Sequence, residues 1–325
     1  MRVHHHASEF PRHPNGEKRT VLTIGTFDGV HSGHRAVLQQ LREVADRHQA
    51  STTLLSFHPH PRVVLDPEHH GLQLLNTLEE RQGLLASTGL DHLVVHPFTR
   101  ALAQMTPWEY AKSLLGDCIQ PVAVVIGDDH RFGRHRTGNF DTLQTLGEAL
   151  GFHVEALDAH RVNDVRVSST KVRQALRDGN VEEANTWLGA PYPTSGTVVH
   201  GNAMGRQLGF PTANLRVDDP LKLLPAEGVY AVWCQPPDGR WRPAMANVGR
   251  RPTLHSDAHP SLEVHVFNAE GDWYEKTVRV RWMHWMRGEV KFGSKEELQQ
   301  ALRADKVRAL DLLGRHPLPK TLDAP

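Results

Sequence analysis

The apolar residues of this chain keep one spacing up to about residue 167 and another beyond residue 193, and one layer architecture cannot serve both. In the first part, TVLTIGT (20–26), STTLLSF (51–57), DHLVVHP (91–97), PVAVVIG (121–127) and FHVEAL (152–157) are short, nearly continuous apolar runs closed by Gly, Pro or His. Runs of this kind are strands buried on both faces. Between them, 33–48, 78–89, 107–115 and 139–150 read as helices. Val37, Leu41, Val44, Ala45 and His48 form one face of the first, and Thr106–Pro107 is an N-cap followed by Pro at the first helical position. Strand–helix alternation of this sort predicts a doubly wound parallel sheet with helices on both faces.

After Val167 come two short helical stretches, 168–177 and 181–188, and then Pro191 and Pro193. Beyond them the spacing is two: GTVVHG (196–201), GVYAVWC (228–234), SLEVHVFN (261–268) and KTVRVRWM (276–283), with turn signals such as Pro236–Gly239 between. Short strands so spaced predict a small barrel or sandwich. Residues 294–313 close the chain as a helix, with Ser294 and Glu297 in capping-box spacing. The boundary falls near 184–194, and 325 residues suit two domains.

Lys+Arg and Asp+Glu both number 37, so the basic excess of a non-specific nucleic-acid binder is missing, and attraction to anionic membrane surfaces is disfavoured for the same reason. No run of 18 apolar residues predicts a membrane span. Two distant cysteines, Cys118 and Cys234, make neither a disulfide framework nor a zinc site and suit a reducing cytoplasm. The first 19 residues are polar and His-rich, lack the apolar core of a signal peptide, and are expected to form a loose tail; metal binding by His4–His6 is the less favoured alternative.

GTFDGVHSGH (25–34) places Gly25, Gly29 and Gly33 around the end of the first strand and the start of the first helix. Ligands of open parallel sheets bind there, and helix-start N–H groups attract phosphate. Phe27 and Asp28 lie in the same turn. His31 and His34 can donate hydrogen bonds to an α-phosphate as charge builds on it, and an already anionic phosphate acceptor needs no general base. SSTKVR (168–173) offers a second anion corner through Ser168, Ser169, Thr170 and Arg173 at a helix start; a plain N-cap is the competing reading of Ser168. In GDDHRFG (127–133) the acidic pair, Asp129 rather than Asp128, can hold a ribose, a metal or a substrate, or simply form a turn. FHPHP (57–61) puts His58 and His60 on one face, but its prolines favour a rigid turn over a metal pair. In LEVHVF (262–267), Leu262, Val264 and Val266 share one strand face and Glu263, His265 and Phe267 the other. A carboxylate there can serve as base toward an alcohol, or be an exposed strand residue.

GTFDGVHSGH stands in order with FHPHP, IGDDHRFG, VSSTKVR, GNAMGRQLGFPTANL (201–215), LPAEGVY (224–230), NVGRRPT (247–253), LEVHVF and RGEVKF (287–292). In these motifs the chain resembles the bifunctional riboflavin kinase/FMN adenylyltransferase family, from about residue 20 to about 312. The resemblance implies a nucleotidyltransferase-like domain over 18–186 and a small antiparallel β-barrel kinase domain with a C-terminal helix over 187–315. It implies two reactions: riboflavin is phosphorylated with ATP to FMN in the C-terminal module, and FMN is adenylylated to FAD, releasing pyrophosphate, in the N-terminal one. Gly25, Phe27, Asp28, Gly29, His31, His34, Ser168, Ser169, Thr170 and Arg173 would hold ATP in the N-terminal site, with His60 and Asp129 toward FMN. Gly201, Gly205 and Arg206 would form the nucleotide-facing loop of the kinase. Thr212 and Asn214 would hold Mg²⁺ and ATP phosphates, Glu263 would be the base, and Arg287 and Glu289 would lie near the flavin.

Four positions depart from the family pattern: His130 stands where Phe is usual, Ala190 where Arg is, Asn268 where Asp is common and Glu275 where Gly is. None is a residue assigned to chemistry. Two other readings compete. A nucleotidyltransferase for another phosphorylated acceptor is disfavoured by the C-terminal motifs. A flavin-binding regulatory protein that has lost activity is disfavoured by the presence of His31, His34, Thr212, Asn214 and Glu263.

Overall fold

The structure, a computed structural model, describes residues 1–11, 19–68, 71–127, 129–157, 161–162, 165–201, 204–250, 260–269 and 271–317. Asp128 and the 251–253 end of NVGRRPT lie outside the described residues. The chain forms two compact units: residues 1–72 with 81–167, and 73–80 with 168 onward.

The first unit is built on a six-stranded parallel sheet. Its strands are β1 (Arg2–His4), β2 (Thr20–Ile24), β3 (Ser51–His58), β4 (His92–Pro97), β5 (Ala123–Gly127) and β6 (His153–Leu157), in the order β1-β4-β3-β2-β5-β6. The runs at β2 to β5 are the interior strands: Val21, Leu22, Leu54, Leu55, Val124 and Val125 are fully buried; FHVEAL, expected to be buried on both faces, is instead the edge strand β6, with His153 and Ala156 exposed. Helices α1 (Ser32–Arg47), α2 (Pro61–Leu65), α3 (Leu78–Ala86), α4 (Arg100–Gln104), α5 (Pro107–Tyr110) and α6 (Phe140–Leu150) connect them, and a π-helical stretch, Ala111–Ile119, continues α5. Strand order reverses at β2, and ligands of such sheets bind outside the carboxyl ends of the strands at that point, here β2 and β5. GTFDGVHSGH and GDDHRFG are the two segments that leave those ends.

The expected loose tail is corrected. Arg2–His4 adds to the sheet edge as β1, parallel to β4, and Ala7 and Phe10 are buried in the core of the unit. The strand lacks an apolar period because its stabilisation comes from backbone pairing and ring contacts: His4 Nε2 lies 3.1 Å from His92 Nδ1, and His6 packs on His96.

A short ribbon, β7 (Arg161–Val162) with β8 (Val165–Arg166), precedes the second unit. There, α7 (Ser169–Arg177) and α8 (Val181–Leu188) come first, followed by β9 (Tyr192–Val199), α9 (Met204–Gln207), β10 (Ala213–Arg216), β11 (Gly228–Gln235), β12 (Arg242–Arg250), β13 (Pro260–Val266), β14 (Thr277–Arg287) and α10 (Lys295–Arg315). The six strands close as an antiparallel barrel in the order β10-β13-β12-β11-β14-β9. Closure decides between barrel and sandwich, and it removes the free edges that a sandwich keeps. Tyr230, Val232, Ala244, Ala246, Leu262, Val264, Val280 and Trp282 belong to the core that α7 and α8 share with the barrel. The alternate residues Val229, Ala231, Met245 and Phe267 pack with Ala309 and Leu313 of α10 in a second cluster.

The barrel register brings functional residues into line. Asn214 of β10 pairs with Glu263 of β13, Glu263 with Asn247 of β12, Asn247 with Val229 of β11, and Val229 with Arg287 of β14. Directly paired residues put their side chains on the same face.

Candidate active sites

The first site is the turn between β2 and α1. Phe27 and Val30 adopt left-handed φ of 50° and 43°, and Gly29 sits at 93°. Non-glycine residues in that region mark strain held by their surroundings. A side chain at Gly25 would press on the Phe27 ring at 2.9 Å, so glycine is what lets that ring fold back. Phe27 then stacks on His34 (ring centroids 4.5 Å apart), and His34 on His31 (3.6 Å). His31 also caps α1, its Nδ1 accepting from the His34 N–H at 3.2 Å. That nitrogen therefore carries no proton, and Nε2 is His31's donor.

The site is charged, buried and incompletely satisfied. Asp28 and His31 are buried, and burial, then His31, then Arg81 push the His34 imidazole well below its ordinary range. Ser32 Oγ, His34 Nδ1 and Arg35 Nε are buried atoms with no hydrogen-bond partner among the described residues. Each such atom costs about 1–3 kcal/mol, so three of them at one helix start favour a polar ligand that pairs with them. The α1 N-terminus favours an anion by up to ~2 kcal/mol more where partly buried.

The other candidates of this half take separate places. Ser168 caps α7, its Oγ accepting from Lys171 N–H at 3.4 Å, and Ser169 follows as its first residue; both are half-buried and Thr170 is exposed. Arg173 donates from Nε to the Gln73 carbonyl at 2.7 Å. All four belong to the second unit, whereas Val167, just before them, packs its carbonyl 3.8 Å from where a Gly33 side chain would begin. His60 caps α2, its Nδ1 accepting from Arg62 N–H at 3.2 Å. Asp129 is exposed. Beside it, burial lowers His130 to about 4, and its Nε2 is buried without a partner among the described residues.

The second site is a cavity of about 510 Å³ on the α10 side of the barrel wall, within the usual range for small-molecule pockets. Thr212, Asn247, Glu263, His265, Arg287, Glu289 and Lys291 supply its polar lining, and Leu208, Phe210, Val229, Met245, Leu298 and Leu302 much of its apolar one. Thr212 Oγ1 donates to Glu263 Oε2 at 3.3 Å. His265 Nδ1 lies 2.7 Å from the Pro211 carbonyl, so it is the protonated nitrogen and ties down the loop that carries Thr212. Asn214 is buried beside Glu263 in the strand register, and a side chain at Gly201 would collide with it. Gly205 approaches the Phe210 carbonyl too closely for any Cβ. Arg206 lies in α9, its side chain outside what is described. Arg287 is held by Asp305 through Nε (3.1 Å) and Nη2 (2.7 Å), and Glu289 accepts from Asn247 Nδ2 at 3.1 Å. Asn247 has no role among those the motifs imply; small Ala244 and Ala246 beside buried Met245 mask the alternation that would set it apart.

Comparison with known proteins agrees with this division. A family model described as FAD synthetase matches residues 13–171, and one described as riboflavin kinase matches 188–313. The bifunctional riboflavin kinase/FMN adenylyltransferase of Escherichia coli K12 is 36% identical over 95% of this chain and 96% of its own length. That of Pseudomonas fluorescens is 37% identical over 89% and 91%, and that of Bacillus subtilis 31% over 90% and 92%. A crystal structure described as a macrolide-efflux protein from Streptococcus pneumoniae superposes with a TM-score of 0.84 at 30% identity, over 94% of this chain and 97% of that one. No described helix of the present chain is long and apolar enough to cross a membrane. With the two family models in tandem and curated relatives aligned over nearly the whole chain, this protein belongs to the bifunctional riboflavin kinase/FMN adenylyltransferase family.

Proposed function

We propose that the chain makes FMN from riboflavin and then FAD from FMN, using ATP twice, with the kinase over 187–315 and the adenylyltransferase over 18–186. The observation that carries this reading is Glu263: a carboxylate hydrogen-bonded to Thr212 at 3.3 Å, in a largely apolar cavity of about 510 Å³, on a chain that also holds an unsatisfied helix start of HxGH type.

In the kinase, Glu263 takes the proton from the ribityl 5′-hydroxyl as its oxygen attacks the γ-phosphorus of ATP, and ADP leaves. Asn247 and Arg287, in line with Glu263 across the barrel, orient the flavin, and Glu289 holds Asn247. Gly201, Gly205 and Arg206 lead the nucleotide to Thr212 and Asn214. Mg²⁺ fits these donors: the Thr212 hydroxyl and the Asn214 amide are hard oxygens, and no described group of three His, Cys, Asp or Glu side chains competes as a metal site. When bound, the cation neutralises charge on the transferring phosphates.

In the adenylyltransferase, an FMN phosphate oxygen attacks the α-phosphorus of ATP and pyrophosphate leaves. The nucleophile is already anionic, so the protein positions and stabilises. His31 donates from Nε2, His34 and the α1 amides face the phosphates, Gly25 and Gly29 let the backbone approach, and Ser168, Ser169, Thr170 and Arg173 grip the triphosphate. His60 and Asp129 face FMN. ATP as co-substrate and the free thiols Cys118 and Cys234 suit a cytoplasmic enzyme.

Incubation with riboflavin, ATP and Mg²⁺ followed by chromatography tests the proposal. FMN should appear first and FAD after it. Flavin binding without either product would make the chain a regulatory protein instead.

A further inference from the structure

One charged side chain outside the motifs is buried against the adenylyl-transfer turn. Arg81 of α3 is 7% exposed. Its Nη1 donates to the Thr26 carbonyl at 2.7 Å, inside GTFDGVHSGH, and its Nε is buried without a partner among the described residues. The Asp28 carboxylate, itself buried, acts on the guanidinium, whose own charge acts on His34.

A guanidinium this deeply buried is normally paired through most of its donors. Here one donor is spent on a carbonyl and Nε on nothing described, while Ser32 Oγ, His34 Nδ1 and Arg35 Nε are unsatisfied close by in sequence. We propose that Arg81 is a positioning residue for adenylyl transfer: it fixes the Gly25–Phe27 turn through the Thr26 carbonyl, and through that turn the ring stack that holds His34.

The role follows from geometry. The Thr26 carbonyl precedes Phe27, whose φ of 50° aims its ring at His34. His34 is packed between the rings of Phe27 and His31, so a turn anchored by Arg81 also fixes the imidazole. The inference rests on the adenylyltransferase reading of this turn.

The test uses the full chain and separate kcat and KM values for ATP in FAD synthesis from FMN, with FMN formation from riboflavin as the folding control. Arg81→Gln removes the guanidinium; Arg81→Lys keeps a long cationic donor for the Thr26 carbonyl. The kcat for FAD synthesis should fall at least tenfold in Arg81→Gln with KM for ATP changed far less, Arg81→Lys should recover part of that loss, and FMN formation should match wild type in both. A wild-type kcat in Arg81→Gln, or equal loss in Arg81→Gln and Arg81→Lys, overturns the proposal. Should Arg81→Gln also lose FMN formation through misfolding, the same reading is taken from Arg81→Met, under the same criterion. Failure of the underlying reading looks different: His31→Ala with His34→Ala would then still make FAD. Loss of FAD in that double variant beside a wild-type Arg81→Gln rejects only the role given to Arg81.

Discussion

At the scale of single residues, Glu275 shows a side chain where the backbone asks for glycine. It holds φ at 59°, in the left-handed region, at the turn where the family commonly has Gly. A left-handed conformation costs an L-residue roughly 1–2 kcal/mol, and glycine gives back about 0.5–1 kcal/mol through its freer unfolded chain. Glu275→Gly should therefore stabilise the second unit by up to ~1 kcal/mol, seen as a Tm a few degrees higher; an unchanged or lower Tm contradicts this. Gly205 is the opposite case. Any Cβ there meets the Phe210 carbonyl, so Gly205→Ala must shift the loop that leads into Thr212. FMN formation should fall tenfold or more in that variant while FAD formation from FMN continues, and equal loss of both activities would show a folding defect rather than a local one.

At the scale of elements, β1 is held by histidines that must stay neutral. His96 Nδ1 accepts from the Ala7 N–H at 3.2 Å, and burial, then His6, lowers its pKa to about 4; burial also lowers His4, which pairs with His92. A depressed folded-state pKa gives stability that is complete above the ordinary value near 6.5 and is lost as pH falls toward 4. Amides of β1 should thus lose hydrogen-exchange protection between pH 7 and pH 5, after correction for intrinsic rates, while those of β2 do not. Retained protection would mean the strand is pinned by backbone pairing alone. The same element shows why parts of the fold were not legible. β2 to β5 announce themselves because strands buried on both faces need uninterrupted apolar residues. Arg2–His4 is a polar edge strand with no period. β10 is only four residues long, and in β12 the alternation is hidden by small Ala244 and Ala246 opposite Met245 and Asn247. The motif turns were legible because glycine and histidine spacing reflects local geometry. Asn247 and Arg81 were not, because each acts on a turn or strand that only the tertiary structure brings to it.

At the scale of the whole molecule, the second compact unit is not one continuous stretch. Residues 73–80 pack with it, and Glu80 is the reason they matter. Lys222, fully buried, donates to Glu80 Oε2 and to the Leu75 and Pro193 carbonyls at 2.6–2.7 Å, while Glu80 Oε1 accepts from Ser195 N–H. Removing one partner of a buried pair costs about 3–5 kcal/mol, because the other charge stays buried alone. A fragment beginning at residue 168 leaves Lys222 without its carboxylate and should unfold at markedly lower denaturant than the second unit does in the full chain; Lys222→Met should recover part of that loss in the fragment. A fragment as stable as the second unit of the full chain would show that 73–80 adds nothing. That one chain carries two separable activities, with Glu263 serving only the first, is tested by flavin chromatography of Glu263→Gln, supplied in one reaction with riboflavin and in another with FMN, each with ATP and Mg²⁺. No FMN should form from riboflavin, and FAD should form from FMN at the wild-type rate; wild-type kinase turnover, or loss of both products, would overturn the assignment.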